Sequence, residues 1–515
     1  MKLHATDTAG AVARRAAWPS VALFAPPRPK AEAAFHAVLA VVAPLCAIVL
    51  WLAAQPFAFP LDDAYLTLHN AKVLLAGADE NYAGVPALAG ATSLVHLAAV
   101  AALAGLMTPV AAGFAVNAAA VALYVHGLAH LAFRTGGTPA LAAILVVLGC
   151  ATGYAPYHLF NGLETGLAMA AVTWALALAA AARPSRVLAL LCGAMPFVRP
   201  ELAALSLLLL ARQAWRRGAE AGATAAALPA IAADAALCMS AAAPWLAWSW
   251  AATGALLPST AAAKEAFFGQ AALPAWLRLK AIAAALGRCN VGPAFLAVLL
   301  LRGAPLAWCA WTFLAAVLFA YFASFPGGMG HNWYRYTYPL LPLGLYALVV
   351  VLATRRDMLP RVLLAAAVGW CAITVPITLK KDRLGRDWTR TELEEVARFA
   401  EATLPANARV LVHDAGYIAF ATRLRLVDVV GLKTPAVIAD HWRWTAPSAG
   451  ERRHEAVHRI AMRYGVTHAV VLQDVEAFWW TIADDLRRHG WTLQTLRTRP
   501  DGHGFVIFRL TPPNA

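Results

Sequence analysis

Residues Phe59–Lys72 read FPLDDAYLTLHNAK. Two adjacent carboxylates, Asp62 and Asp63, follow an apolar run that begins near Ala37 and covers about twenty residues, the length a helix needs to cross a bilayer. An acid at the mouth of a span is costly in lipid and belongs where it faces a polar cavity. The stretch therefore predicts a membrane crossing and, directly after it, a polar surface with work to do.

The rest of the chain supports the crossing. It has 515 residues, 61% hydrophobic and only 14% charged, against about one quarter charged in an ordinary soluble domain. These values predict a mainly α, polytopic membrane protein. The net charge of +14 is not a nucleic-acid footprint, because the Arg residues fall in short clusters between apolar runs and no basic stripe alternates with stacking aromatics. The seven Cys, from Cys46 to Cys371, lie in or beside apolar runs without C-x-x-C spacing, so neither a disulfide framework nor a zinc site is expected. Basic residues precede the first run, which is longer than a signal-peptide core, so it reads as an uncleaved span behind a cytoplasmic leader, residues 1–36.

About eleven crossings are predicted within residues 37–379: 37–55, 110–133, 139–159, 164–182, 187–198, 201–212, 224–251, 282–301, 304–323, 339–354 and 360–379. With the leader inside, the clusters Arg14/Arg15/Arg28/Lys30, Arg134, Arg183/Arg186, Arg212/Arg216/Arg217, Arg302 and Arg355/Arg356/Arg361 all fall on the cytoplasmic side. Arg278, Lys280 and Arg288 are the exception. The agreement needs Ser93–Met107 to be interfacial or re-entrant, and VLALLCGAMPFVRPELAALSLLLLAR to be a short hairpin with Arg199-Pro200-Glu201 at its tip, each half spanning roughly 18 Å. From about Lys380 charges become dense and mixed, and helical stretches alternate with the strand-like runs RVLVHDAG, HAVVLQD, WTLQTLR and FVIFRL. Residues 380–515 are therefore expected to form a small α/β domain, periplasmic by the parity of the spans.

Only twelve Asp and Glu precede Lys380. Seven of them, Asp62, Asp63, Asp79, Glu80, Glu164, Glu201 and Glu265, are predicted on the outer side, together with NGLETG (Asn161–Gly166), LLPSTAAAK (Leu256–Lys264) and HNWYRYTYPLLP (His331–Pro342). A cavity that collects carboxylates, cations and aromatics at a membrane face suits a lipid-linked, phosphate-bearing substrate. There a carboxylate takes the proton of an attacking hydroxyl while Arg or Lys neutralises the departing phosphate. The chain has no G-x-S-x-G elbow, H-E-x-x-H helix or Walker loop.

The segment FPLDDAYLTLHNAKVLLAG resembles the first outer loop of bacterial membrane glycosyltransferases of the GT-C fold, in particular the mycobacterial terminal arabinofuranosyltransferases. NYAGVPALAGATSLVH, NGLETGL, RPE, GALLPSTAAAK, YRYTYPLLPL and LPANARVLVHDAGYIAF follow in the matching order. The resemblance implies a polyprenyl-phosphate monosaccharide donor, an envelope glycan, lipid or protein acceptor, and inverting transfer on the periplasmic face of the bacterial inner membrane. It carries the role of catalytic base to Asp62, with Asp63 orienting the acceptor or standing in. The sequence departs from the pattern at His69-Asn70 and Ser259-Thr260, so the sugar, a pentose such as arabinofuranose in the relatives, is left open.

We expect Arg199, Arg335, Lys264, His331, Glu164 and Glu201 on the donor side and Tyr65, His69 and Lys72 on the acceptor side. Each has a plainer reading. Asp62 and Asp63 suit the first turn of a helix, Arg199 and Glu201 suit an ion pair across the hairpin, and cations at span ends snorkel. Asp234 lies within a span without an obvious partner, and Asp414 and Asp428 end strand-like runs where acids finish turns. No cofactor motif is present. A divalent cation between the acidic pair and a phosphate is compatible with the sequence, though two adjacent acids are too few ligands to establish one. Two other classes fit the composition: a secondary transporter or flippase for a lipid-linked or anionic solute, which should show matched interrupted helices in two halves, and a non-catalytic assembly partner.

Overall fold

A computed structural model describes residues 23–24, 29–55, 57–222, 224–289, 291–304, 306–355, 357–473, 481–500 and 502–513. Arg14, Arg15, Arg28 and Arg356 of the basic clusters lie outside the described residues. The membrane body is built from α1 (Pro29–Ala53), α2 (Asp62–Ala76), α3 (Leu94–Ala104), α4 (Pro109–Arg134), α5 (Pro139–Ala151), α6 (Ala155–Phe160), α7 (Thr165–Ala180), α8 (Arg186–Val198), α9 (Leu202–Glu220), α10 (Thr224–Thr253), α11 (Thr260–Phe268), α12 (Ala275–Arg288), α13 (Ala307–Ser324), α14 (Leu341–Thr354) and α15 (Leu359–Trp388). Six helical stretches among the described residues are long and apolar enough to cross a membrane.

Several expectations meet their physical limits here. α3 has 11 residues, about 16 Å of helix, too short to cross, as its interfacial reading requires. The short hairpin forms as α8 and α9 around Arg199–Glu201. The run 282–301, read as one crossing, is not one helix: α12 ends at Arg288, Gly292 takes φ +83, and Pro293–Leu300 continue as a 3₁₀ turn. Gly-Pro punctuation outranks the apolar composition there. Asp234 finds its partners on the neighbouring helix, with Arg217 at 2.5 and 2.8 Å and Gln213 at 2.8 Å. Its role is therefore to tie α9 to α10.

The helix that leaves the membrane does not stop at Lys380. It runs from Leu359 to Thr403, with a π turn at Thr389–Leu393 leading into α16 (Glu394–Thr403). Beyond it come β1 (Arg409–Val412), α17 (Tyr417–Ala421), β2 (Arg425–Asp428), α18 (Ile438–Trp444), α19 (Arg453–Tyr464), β3 (His468–Gln473), α20 (Ile482–Arg487), β4 (Thr492–Arg497) and β5 (Gly504–Thr511). The sheet order is β2-β1-β3-β5-β4, parallel among β1, β2 and β3 and antiparallel at β5 and β4. The four expected strands are present. β2, four residues at the sheet edge, is the addition.

The two bodies share a core. Leu66 and Tyr82 from the first loop, and Ala263 and Phe267 from α11, pack into the same apolar cluster as Val410, Leu426 and Ile460 of the α/β domain. Leu426 N–H donates to the Asn81 carbonyl at 2.9 Å, and Thr389 Oγ1 donates to the Phe59 carbonyl at 2.8 Å. The α/β domain is thereby seated on the loop that carries Asp62 and Asp63.

Candidate active site

Leu61 is extended (φ −134°, ψ 139°) and the helix starts at Asp62, so both acids occupy a first turn whose free amides and dipole favour negative charge. Their side chains nevertheless turn away from their own helix in opposite directions. Asp62 Oδ1 accepts from the Tyr417 amide at 2.6 Å and Oδ2 from the Gly416 amide at 2.9 Å, which makes it a cap on α17 of the other domain. The fit has no slack: a Cβ at Gly416 would overlap the Asp62 backbone and carboxylate. Gly416→Ala should therefore cost about 1–3 kcal/mol and lower the unfolding temperature. A variant as stable as the parent would disprove this close approach.

Asp63 points into the membrane body. Its Oδ2 accepts from Asn332 Nδ2 at 2.8 Å and Arg335 Nη1 at 2.9 Å. The segment presenting these donors is strained, since Asn332, Trp333 and Tyr334 all have positive φ (47°, 57° and 63°), a region that costs a non-glycine residue on the order of 1–2 kcal/mol. It is held by His158 Nε2, which donates to the Trp333 carbonyl at 2.9 Å, and by Lys381 over the Trp333 ring at 4.5 Å. Strain retained at one spot by surrounding contacts is a mark of function.

The surroundings drive the two acids apart. Burial pushes Asp62 up to about 7, against the pull of the Tyr417 and Gly416 amides and with the Asp63 charge adding to the rise. Burial acts on Asp63 too, but Arg335, with Lys264 and His331, outweighs it and holds the group at about 2. One acid titrates near neutrality and its neighbour is a permanent anion, the division that separates acid–base groups from electrostatic ones.

Behind Asp63 three cations gather on Tyr336. Its hydroxyl accepts from Arg335 Nη2 at 2.9 Å and Lys264 Nζ at 3.1 Å, and its ring lies 4.8 Å from both the Arg199 and Arg335 guanidinium carbons. Arg335 Nε is buried without a partner. Arg199 is buried and doubly paired, to Glu164 at 2.9 Å and Glu201 at 2.6 Å. The hairpin ion pair thus exists and extends to the start of α7.

Asp63, Lys264, Arg335 and Glu164 line a narrow pocket with Thr92, Ser93 and Thr260. On its other side Asp63 shares a cavity of about 210 Å³ with Asp62, Lys264, His331, Asn332, Trp388, His413 and Asp414. The expected donor-side residues therefore converge. The expected acceptor-side residues do not line either cavity. Tyr65 hydroxyl accepts from the Phe59 amide at 3.1 Å, Lys72 donates to the Phe420 carbonyl at 2.8 Å, and His69 Nε2 meets Asp79 at 3.1 Å. All three fasten α2 to its surroundings at the domain seam.

Asp428 closes a turn, accepting from the Val430 and Lys433 amides, the plainer of its two readings. Asp414 instead faces the acidic pair. Burial and the charges of Asp62, Asp63 and Asp428 raise its pKa well above the carboxylate range. Sequence reasoning missed Asn332 as a partner of Asp63 and Tyr336 as the acceptor for Arg335 and Lys264, although HNWYRYTY was the signal that could have found them.

The acidic pair already has partners of its own. Both Asp62 oxygens are taken by amides and Asp63 Oδ2 by Arg335 and Asn332. Among the described residues, the clusters with at least three metal-ligating groups lie elsewhere.

A sequence family described as a domain of unknown function, DUF8728, matches residues 383–508. No curated protein matches the chain in sequence. Among solved structures, ArnT from Cupriavidus metallidurans, bound to undecaprenyl phosphate, is similar at 14% identity and a TM-score of 0.51, covering 91% of this chain and 97% of that one. The arabinofuranosyltransferase AftD from mycobacteria is similar at 16% identity and a TM-score of 0.46 over 96% of this chain, which spans 41% of AftD. The likeness to ArnT over nearly the whole of both chains gives this chain the GT-C fold of membrane glycosyltransferases.

Proposed function

We propose that the chain is an inverting glycosyltransferase that moves one monosaccharide from a polyprenyl-phosphate donor to a hydroxyl of an envelope glycan, lipid or protein, on the periplasmic face of the bacterial inner membrane. The observation that carries this reading is the split acid pair beside cations in a cavity of about 210 Å³, small enough for one sugar ring. A pentose such as arabinofuranose is the sugar suggested by the motif order.

In this reading Asp62 accepts the proton of the acceptor hydroxyl as its oxygen bonds to the anomeric carbon. The bond from that carbon to the phosphate oxygen breaks with inversion, and its electron pair leaves on the phosphate. Arg335 and Lys264 neutralise that charge, and Asp63 fixes Arg335. Arg199, locked between Glu164 and Glu201, holds Tyr336 against the cations. An apolar groove of about 760 Å³ lined by Leu39, Cys46 and Leu50 of α1, Val121 of α4 and Leu379 of α15 ends at Arg383, Arg386 and Arg390. Trp388, on the same turns of α15, lines the acidic cavity. We assign this groove to the hydrocarbon of the donor, a lipid of the class of the undecaprenyl phosphate bound to ArnT.

Turnover of radiolabelled polyprenyl-phosphate sugars by the purified chain tests the reading. Cleavage of the sugar–phosphate bond with acceptor labelling is expected. Movement of intact donor across a liposome bilayer would favour the transporter, and neither result would favour the assembly partner. The pH profile gives a second check. Since the base must be deprotonated, kcat/KM should fall by about tenfold per pH unit below an apparent pKa near 7. A profile flat from pH 5 to 8, a range chosen around about 6.5 to straddle that value, would count against Asp62.

A further inference from the structure

We propose that the seam between α1 and α4 is a binding site for a first-row divalent transition-metal ion of the zinc class, held by Glu32, His36, His126 and His130. This inference is independent of the proposed transfer reaction. Glu32 and His36 lie four apart on α1, and His126 and His130 lie four apart on α4, so each helix presents its pair on one face. The helices run antiparallel and the pairs meet as two rungs. His36 Nδ1 lies 2.8 Å from His126 Nδ1, and Glu32 Oε1 lies 3.1 Å from His130 Nδ1. The donor atoms of Glu32, His36 and His130 all fall within 4.8 Å of one another. Three imidazoles and one carboxylate are the donor set that zinc, cobalt(II) and nickel(II) favour over magnesium or calcium.

The site is also partly built for occupation. The His130 ring stacks on Trp174 at 5.3 Å, and His36 is flanked by Phe133 at 6.3 Å. The His130 and Glu32 side chains remain 16% and 28% exposed, so the site is not sealed within the protein. Tetrahedral ligands at about 2.0–2.1 Å from a metal stand roughly 3.3 Å apart, so each rung needs to open by only a few tenths of an ångström, while the two rungs must also draw together, His126 lying outside the set of donor atoms within 4.8 Å of one another. Arg134 Nε donates to His130 Nε2 at 3.1 Å, which leaves the His130 proton on Nδ1, facing Glu32. Loading an ion displaces that proton from Nδ1, moves the tautomeric hydrogen to Nε2 and sends the exposed Arg134 into solvent.

The consequence is mechanical. Among the described residues of α1 only Leu39 and Ala47 are buried, so this helix has little apolar hold on the bundle. It also forms one wall of the 760 Å³ groove. An ion across the two rungs would pin that wall at one end.

The test uses the full chain purified in detergent through a tag without histidine, stripped with EDTA and reloaded with zinc chloride or cobalt chloride. One tightly held ion per chain is expected, with the visible absorption of tetrahedral cobalt(II) and a zinc-dependent rise in unfolding temperature. Combining His36→Gln with His126→Gln should remove all three while leaving the unfolding temperature in EDTA at the parent value. Glu32→Gln should weaken binding by more than about tenfold. His454→Gln with His489→Gln, at the other histidine cluster, should change nothing. Failure of the parent to hold an ion overturns the proposal. So does retention of the ion in the first double variant, or its loss in the second.

Discussion

Asp62→Asn lowers kcat for sugar transfer by about 10²–10⁴-fold, the range in which a positioned general base contributes. The amide keeps the shape of the carboxylate but cannot take up a proton at neutral pH. It also disturbs the seam. Asp62 accepts from two backbone amides, and Asn has one acceptor oxygen to offer, so one amide must face an NH₂ group at a cost of about 1–3 kcal/mol. Loss of activity alone would therefore not separate chemistry from docking. Lys72→Met makes the separation, because it removes the bond to the Phe420 carbonyl in the same seam without touching either acid. It should leave kcat near the parent value. Asp63→Asn should act differently again, raising KM more than it lowers kcat, because it releases Arg335 from its partner. If Asp62→Asn transferred sugar normally and Asp63→Asn lost kcat, the base would be Asp63.

The membrane body was readable because its rule is simple. A run of about twenty apolar residues must satisfy its backbone internally, and a helix does so. The turn at Arg199–Glu201 between two helices was also readable, since arginines at both ends of VLALLCGAMPFVRPELAALSLLLLAR call for an even number of passes. What the rule cannot see is a break inside an apolar run. Gly292 and Pro293 split the stretch 282–301, and Gly153 divides the stretch 139–159 between α5 and α6. In the α/β domain, strands with strong alternation or continuous apolar runs were legible. β2 (Arg425–Asp428) is no shorter than β1 (Arg409–Val412), but it holds only Leu426 and Val427 between two charged residues, a pattern that does not separate strand from loop.

The site was legible in composition more than in geometry. Of the seven acids expected on one side, Asp63 and Glu164 line one pocket and Glu201 joins Glu164 through Arg199, while HNWYRYTY supplies Asn332 and Arg335 to Asp63. Which residue touches which was not readable, because the contacts of the two adjacent acids join positions hundreds of residues apart. Asp63 meets Asn332, Asp62 meets Gly416, and His69 turns from the cavity to Asp79. A polar residue near an active site looks the same in sequence whether it serves the substrate or the seam. His69 and Lys72 serve the seam.

That seam yields the second large effect. Lys433→Met should destabilise the docked α/β domain by about 3–5 kcal/mol, the usual result of breaking one side of a buried ion pair. The Lys433 side chain is wholly buried, 3.0 Å from Asp79 and 2.9 Å from Asn70 Oδ1, above the Tyr82 ring. Asp79 is equally buried and also meets His69. Taking the ammonium away leaves a carboxylate in the protein interior with only a histidine and two amides to satisfy it. Asp79→Leu combined with Lys433→Met should cost less than Lys433→Met alone, because no charge is then stranded. The pH dependence has a definite sign. Burial would raise the Asp79 pKa, but the His69 bond and the Lys433 charge hold it below the ordinary carboxylate value. The stability from this group is therefore present above the unfolded pKa, about 3.9, and lost as pH falls through the folded value. Unfolding followed by tryptophan fluorescence as the pH is lowered from neutrality checks it. If single and double variants unfold alike, the Asp79–Lys433 pair does not clamp the domain and the seated geometry of the active site must rest on the apolar core shared through Leu66 and Phe267.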